Sequence, residues 1–197
     1  MRRVTLGIGV EGPSDREFWS KVLPKHFRHA SFDVRSMNGC RTLIREAPRL
    51  LDMFRDLHYA AGFLLIDYDK VFRDGGSCPV SVLREFDPRV QDEARQPLEK
   101  RFLSVCVAVR GVEAWYLADA TAIGHVLPRA SYAVPPETGD LGGDTLKELW
   151  RHQHQRTAFN KIRFAKEMAP LFRPDAARVY SHSFAHFWDR ITRAVPP

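Results

Sequence analysis

Residues 4–19, VTLGIGVEGPSDREFW, and residues 62–69, GFLLIDYD, decide the reading of this chain. Each begins as an apolar run with the length of a buried parallel strand, and each ends in acid: Glu11 after the first, Asp67 and Asp69 at the end of the second. In an open α/β sheet, ligands bind at the carboxyl ends of the strands, so these three acids are expected to converge there. Clustered carboxylates repel one another unless a cation neutralises them, which makes a divalent metal site the expectation. Asp67 and Asp69 have the period-two spacing that points both side chains the same way if the strand continues through them. The plainer alternative is that Glu11 caps the following helix and the two aspartates are turn residues. Three acids at two strand ends favour the metal reading.

Working outward, strands and helices alternate through the first half. Residues 4–10 are strand one, and residues 14–27 a helix with Ser14 as cap and Glu17 completing a capping box. Residues 31–37 alternate as a second strand, followed by a helix over 41–57 that Pro48 is expected to kink or restart. Residues 62–69 and 102–110 are the third and fourth strands, with a helix over 88–101 between them and a glycine-rich loop over 70–80 above the crevice. This alternation predicts a mostly parallel, Rossmann-like sheet flanked by helices. A Pro- and Gly-rich loop over 128–144 then leads to helical segments over 144–155, 159–172 and 181–195, a helical C-terminal extension. The expected organisation is one domain over residues 1–197, with its core in about 1–125 and the loop and extension in 126–197.

Composition narrows the classes. With 44% hydrophobic and 27% charged residues the chain is that of an ordinary globular protein. No apolar run approaches the roughly 20 residues that span a bilayer, so no membrane role is expected. The start lacks a signal-peptide pattern, and Cys40, Cys78 and Cys106 are odd in number with no CxxC pair, which points to a reducing cytoplasm. The net charge of +6 favours an anionic partner. Arg151, Arg156, Lys161, Arg163 and Lys166 form the densest late basic cluster, although a solvated helix face would look the same. His152 and His154 read as surface residues. His182 and His186 stand one helical turn apart without a third ligand near in sequence. Trp115, Tyr116 and Trp188 read as core.

VEGPSDREFW resembles the first motif of the Toprim domain, a strand delivering a glutamate, then glycine and a turn into a helix, and LLIDYDK resembles its DxD motif. Toprim domains occur in topoisomerases, primases, recombination proteins and OLD-family nucleases. The resemblance implies Glu11, Asp67 and Asp69 as ligands of Mg²⁺ (or Mn²⁺) for phosphodiester chemistry, and Asp15, in the EGxxD position, as a ligand of a second metal. VRGVEAWYLAD is similar to a segment of small uncharacterised Toprim-like proteins, which nominates Glu113 as ligand or base, with Asp119 behind it. FNKIRFAK nominates Lys161 as a phosphate contact. The topoisomerase-type acid two residues past the DxD is lacking, which leaves a nuclease of nucleic acid, DNA ahead of RNA. Small proteins of this kind also imply a separately encoded ATPase as partner. Two alternatives stay open. GFLLIDYDKVF also fits the DxD of haloacid-dehalogenase-like phosphatases, with Asp67 as nucleophile. A non-catalytic nucleic-acid- or protein-binding module would carry the same residues.

Overall fold

The computed structural model describes residues 3–68, 79–134, 142–155 and 157–195. Four parallel strands, β1 (Val4–Val10), β2 (Ala30–Ser36), β3 (Ala61–Asp67) and β4 (Leu103–Ala108), form one sheet in the order β2-β1-β3-β4. Parallel neighbours need crossovers, and helices α1 (Pro13–His26), α2 (Cys40–Asp56) and α3 (Pro88–Arg95) supply them, α3 after a 3₁₀ helix at Pro79–Glu85. Beyond β4 come α4 (Val112–Leu117), α5 (Ala120–Val126), α6 (Gly143–His154), α7 (Lys161–Met168), α8 (Pro174–Tyr180) and α9 (His182–Ala194). Among the described residues no helix is long and apolar enough to cross a membrane.

The β3 strand is buried at every position, which is why its sequence is continuously apolar rather than alternating. Helix α2 lies on one side, where Leu43, Leu50 and Phe54 meet Leu64, Ile66 and Leu103. Gly7 and Gly62 are register partners on β1 and β3, and the Phe54 ring lies across them. A Cβ on Gly7 would stand 2.5 Å from that ring, so two glycines admit the helix this close. On the other side α1 joins α4, α7 and α9 over Leu6, Ile8 and Val10. Aromatic rings fill that layer: Trp19 meets Trp115 and Phe187 edge-on at 5.8 and 4.9 Å. The helical extension therefore completes the sheet's second layer.

Several local expectations are corrected. Helix α1 starts one residue early, at Pro13, with Gly12 as its cap position, and the Asp15 carboxylate accepts the Gly12 N–H at 3.0 Å in place of Ser14 acting as cap. Pro48 lies within a continuous α2. Helix α3 ends at Arg95 because Gln96 precedes Pro97 and takes extended ψ, 150°. Residues 111–127, to which the sequence assigned no element, form α4 and α5, since the Asp119 side chain caps a new helix through Ala122 N–H at 3.2 Å. Helix α8 was not expected; its short sequence, PDAARVY, carries little periodicity. The expected loop over 70–80 lies almost wholly outside the described residues.

Candidate active site

From β1 the chain passes to β2 on one side, and β3 then returns to the other, so the strand order reverses between β1 and β3. At such a switch point the two connections diverge and leave a crevice at the carboxyl ends. Glu11 follows β1 there and Asp67 closes β3, and both are 3% exposed. Glu11 Oε1 accepts the Asp67 backbone N–H at 2.7 Å, and Asp67 Oδ1 accepts the Val112 N–H at 3.0 Å, from the first residue of α4. The sheet register puts Asp67 opposite Ala108 at the end of β4, so a short loop carries the chain onto α4 beside the acids.

That loop is built on two positive-φ residues, Arg110 at 64° and Gly111 at 85°. Gly111 has ψ 169°, a conformation open almost solely to glycine. Space demands glycine as well. A Cβ there would stand 2.9 Å from Glu113 Oε2 and 3.5 Å from Asp67 Oδ2, so both carboxylate oxygens lie around one point. Glu113, in the first turn of α4, is 7% exposed, and its Oε1 is ion-paired with Lys161 Nζ from the start of α7. Gly143 backs onto Glu113, with its Cβ position 3.9 Å from Cδ, and Gly142 packs against the Arg110 carbonyl. The structure thus brings together Glu11, Asp67, Glu113 and Lys161 from four elements.

Asp15 is 9% exposed and holds the α1 start. Asp119 is fully buried and committed elsewhere: it accepts the Arg173 backbone N–H at 2.8 Å and pairs with the Arg173 guanidinium at 2.7 Å, a structural clamp between α4–α5 and α8. Asp69 lies outside the described residues. Among the described residues no group of three or more His, Cys, Asp or Glu side chains is arranged to hold a metal ion. The histidines separate: His154, half-buried, packs its ring on Trp150 at 4.0 Å, and His182 and His186 are exposed positions on α9.

Sequence reasoning missed Tyr116. Its ring packs on Phe18 and Phe164, as a core residue should, but its hydroxyl is buried without a hydrogen-bond partner among the described residues. Burial pushes its pKa well above 10, and the charges of Asp15, Glu113 and Asp67 push the same way, so the hydroxyl is a neutral donor beside three acids. The signal was its place one helical turn after Glu113.

Comparison with known proteins follows the fold. A family model described as "Domain of unknown function (DUF4276)" matches residues 10–192. None of the curated proteins matches. Among solved structures, the C-terminal region of the Xanthomonas campestris pv. campestris OLD protein is similar at 17% identity and TM-score 0.50, covering 96% of this chain and 95% of that one. The C-terminal region of the Burkholderia pseudomallei OLD protein gives 17% identity and TM-score 0.49, over 96% and 98%. At this identity the likeness is one of fold.

Proposed function

The chain belongs to the DUF4276 family, and we propose that it is a Toprim-type, metal-dependent nuclease that cleaves phosphodiester bonds in nucleic acid, DNA ahead of RNA. The observation that carries this reading is the meeting of Glu11, Asp67 and Glu113 at the β1/β3 switch point, with Lys161 ion-paired to Glu113. The fold likeness to an OLD C-terminal region and the Toprim-like motifs support it.

The donor set suits Mg²⁺ or Mn²⁺: carboxylate oxygens in a crevice, with no sulfur or imidazole among them. Glu11, Asp67 and, by the sequence motif, Asp69 would hold the ion, and Asp15 and Glu113 a second. Bound there, the ion would supply charge neutralisation at a phosphate and a more acidic water. The chain's own residues do the rest. The hydrogen bond from Asp67 N–H fixes Glu11, and that from Val112 N–H fixes Asp67, so both carboxylates are oriented before any ligand arrives. Lys161 neutralises Glu113 now, and its side chain, 42% exposed, is within reach of an incoming phosphate. Glu113, thus released, is placed to take a proton from water. A phosphatase reading centred on Asp67 leaves Glu11 without a role. A separately encoded ATPase remains the proposed partner.

The test is nicking of supercoiled plasmid and cutting of single strands with Mg²⁺ or Mn²⁺, comparing Glu11→Gln with the native chain. The amide oxygen still accepts the Asp67 N–H, so folding is retained while the charge is lost. Activity should drop on the order of a hundredfold or more. Equal activity in the two proteins would remove Glu11 from the mechanism, and with it the Toprim reading.

A further inference from the structure

A second concave region adjoins the acids without sharing their residues. A cavity of about 590 Å³ runs along β4, floored by Val105, Val107 and Val109, with Leu83 and Ala94 on one side. Its other side is α9, which presents His182, Ser183, His186 and Arg190, and Arg101 closes the far end. The volume is that of a site for an organic ligand group rather than a surface ripple.

Its charge is one-sided. Arg190 Nη1 donates to the Val105 carbonyl at 3.0 Å, and Arg101 donates through Nε and Nη2 to the Gln96 carbonyl at 3.0 and 2.7 Å, so both guanidiniums are held by neutral oxygens. Burial lowers the Arg101 pKa, the Arg190 charge adds to this, and Cys106 and Glu93 oppose it. The described lining residues include no acid. Several carboxylates lie on the surrounding elements outside this lining: Glu85, Asp92, Glu93 and Glu99 on the side of Leu83, Ala94 and Arg101, and Asp189 on α9. Glu93 is engaged with Arg55 and the Phe102 N–H, and Asp189 with Arg178.

The cavity floor leads along the chain to the acids. Val109 is followed directly by Arg110 and Gly111 of the site loop, and Trp115, two residues after Glu113, donates to Ser183 Oγ at 2.9 Å and ties α4 to the α9 wall. From Val109 back to Val105 the floor extends roughly 13 Å at the usual strand rise. An apolar floor with Arg190 on one wall and Arg101 at the far end matches a strand whose phosphates meet cations while its sugars and bases meet apolar surface.

We propose that this groove seats the nucleic-acid strand flanking the phosphate to be cut, with Arg101, His186 and Arg190 contacting successive phosphates and the β4 valines contacting sugars and bases. The inference rests on the nuclease reading and adds to it the substrate's path: a single strand leaving the acids along β4.

Binding of a short fluorescein-labelled single strand, followed by anisotropy without metal across a KCl series, tests it. The native chain is compared with Arg101→Ala, His186→Glu and, as a control on the opposite layer, the exposed Arg49→Ala, with circular dichroism to confirm folding. His186→Glu should weaken binding on the order of tenfold, and Arg101→Ala should flatten the slope of log Kd against log salt by about 0.7, one phosphate contact in a single strand. Arg49→Ala should bind as the native chain does. Folded groove variants that bind with native affinity and slope would overturn the groove while leaving the nuclease reading standing. A native chain that binds no strand at all would overturn both. Competition by inorganic phosphate as effective as by the strand would also overturn the inference, making the groove a small-anion site.

Discussion

Replacing Gly111 by alanine strikes the site through the backbone, and two other glycines separate the causes. Gly111 and Gly39 have φ of 85° and 121° with extended ψ, and holding alanine in such a region costs on the order of 1–3 kcal/mol. Around Gly39 nothing lies within 4 Å of a new Cβ, so Gly39→Ala reports backbone strain alone. At Gly111 the Cβ stands 2.9 Å from Glu113 Oε2, closer than real contacts allow, and Glu113 must move away from its half-buried ion pair with Lys161. That adds about 1 kcal/mol, the usual net worth of a hydrogen bond. Gly124, inside α5 with open space around it, is the opposite control: alanine there should stabilise by about 0.5–1 kcal/mol. Urea unfolding followed by circular dichroism gives all three, read as midpoint shifts at constant m. The expected order of stability is Gly124→Ala above native, then Gly39→Ala, then Gly111→Ala. In the nicking assay Gly111→Ala should lose far more activity than Gly39→Ala at equal fraction folded. If Gly111→Ala is as stable as the native chain, or less damaging than Gly39→Ala, the crowding at the site is wrong.

Arg173→Ala strips the guanidinium from fully buried Asp119 and should cost about 2 kcal/mol in the same urea experiment, the range for hydrogen bonds to a charged group. Tyr116→Phe removes a buried hydroxyl with no hydrogen-bond partner among the described residues, so stability should stay level or rise slightly, while metal-dependent cleavage falls; unchanged cleavage would make Tyr116 core alone. Burial, then the Lys25 charge, lowers the His26 pKa in the folded chain. The unfolded chain therefore takes up this proton first as pH falls, and stability should decline from about pH 6.5 downward. In His26→Gln that part of the decline should vanish from thermal melts across the same range.

The extent to which sequence spoke for itself varies by element. Short, continuously apolar runs such as residues 61–66, bounded by breaks, read as strands buried on both faces, and their alternation with helical segments pointed to a parallel sheet. Glu11 and Asp67 stood out because each directly ends such a strand on the same edge of the sheet, and the structure joins them through the Asp67 N–H. Helix ends were harder. Gly12 took the cap position expected of Ser14, and Asp15, three residues on, took the reciprocal role expected of Glu17, because the helix begins at Pro13 and moves the box two positions along the chain. Pro48 was tolerated because the surrounding helix is held by Leu43, Leu50 and Phe54 in the core, and packing outweighs one missing hydrogen bond.

What the sequence determined by itself was the local grammar: period, breaks, and the acids at strand ends, all fixed by neighbours within a few positions. Only the tertiary structure decided which acids belong together. Asp119 and Glu113 are six residues apart on similar helical sequence, yet one is clamped by Arg173 and the other faces Asp67 across Gly111. Their partners lie 54, 48 and 46 residues away, and no local pattern encodes a contact across that separation. The same holds for Tyr116 and for Arg190 on α9: each is an ordinary helix position until packing sets it beside the acids or the β4 strand.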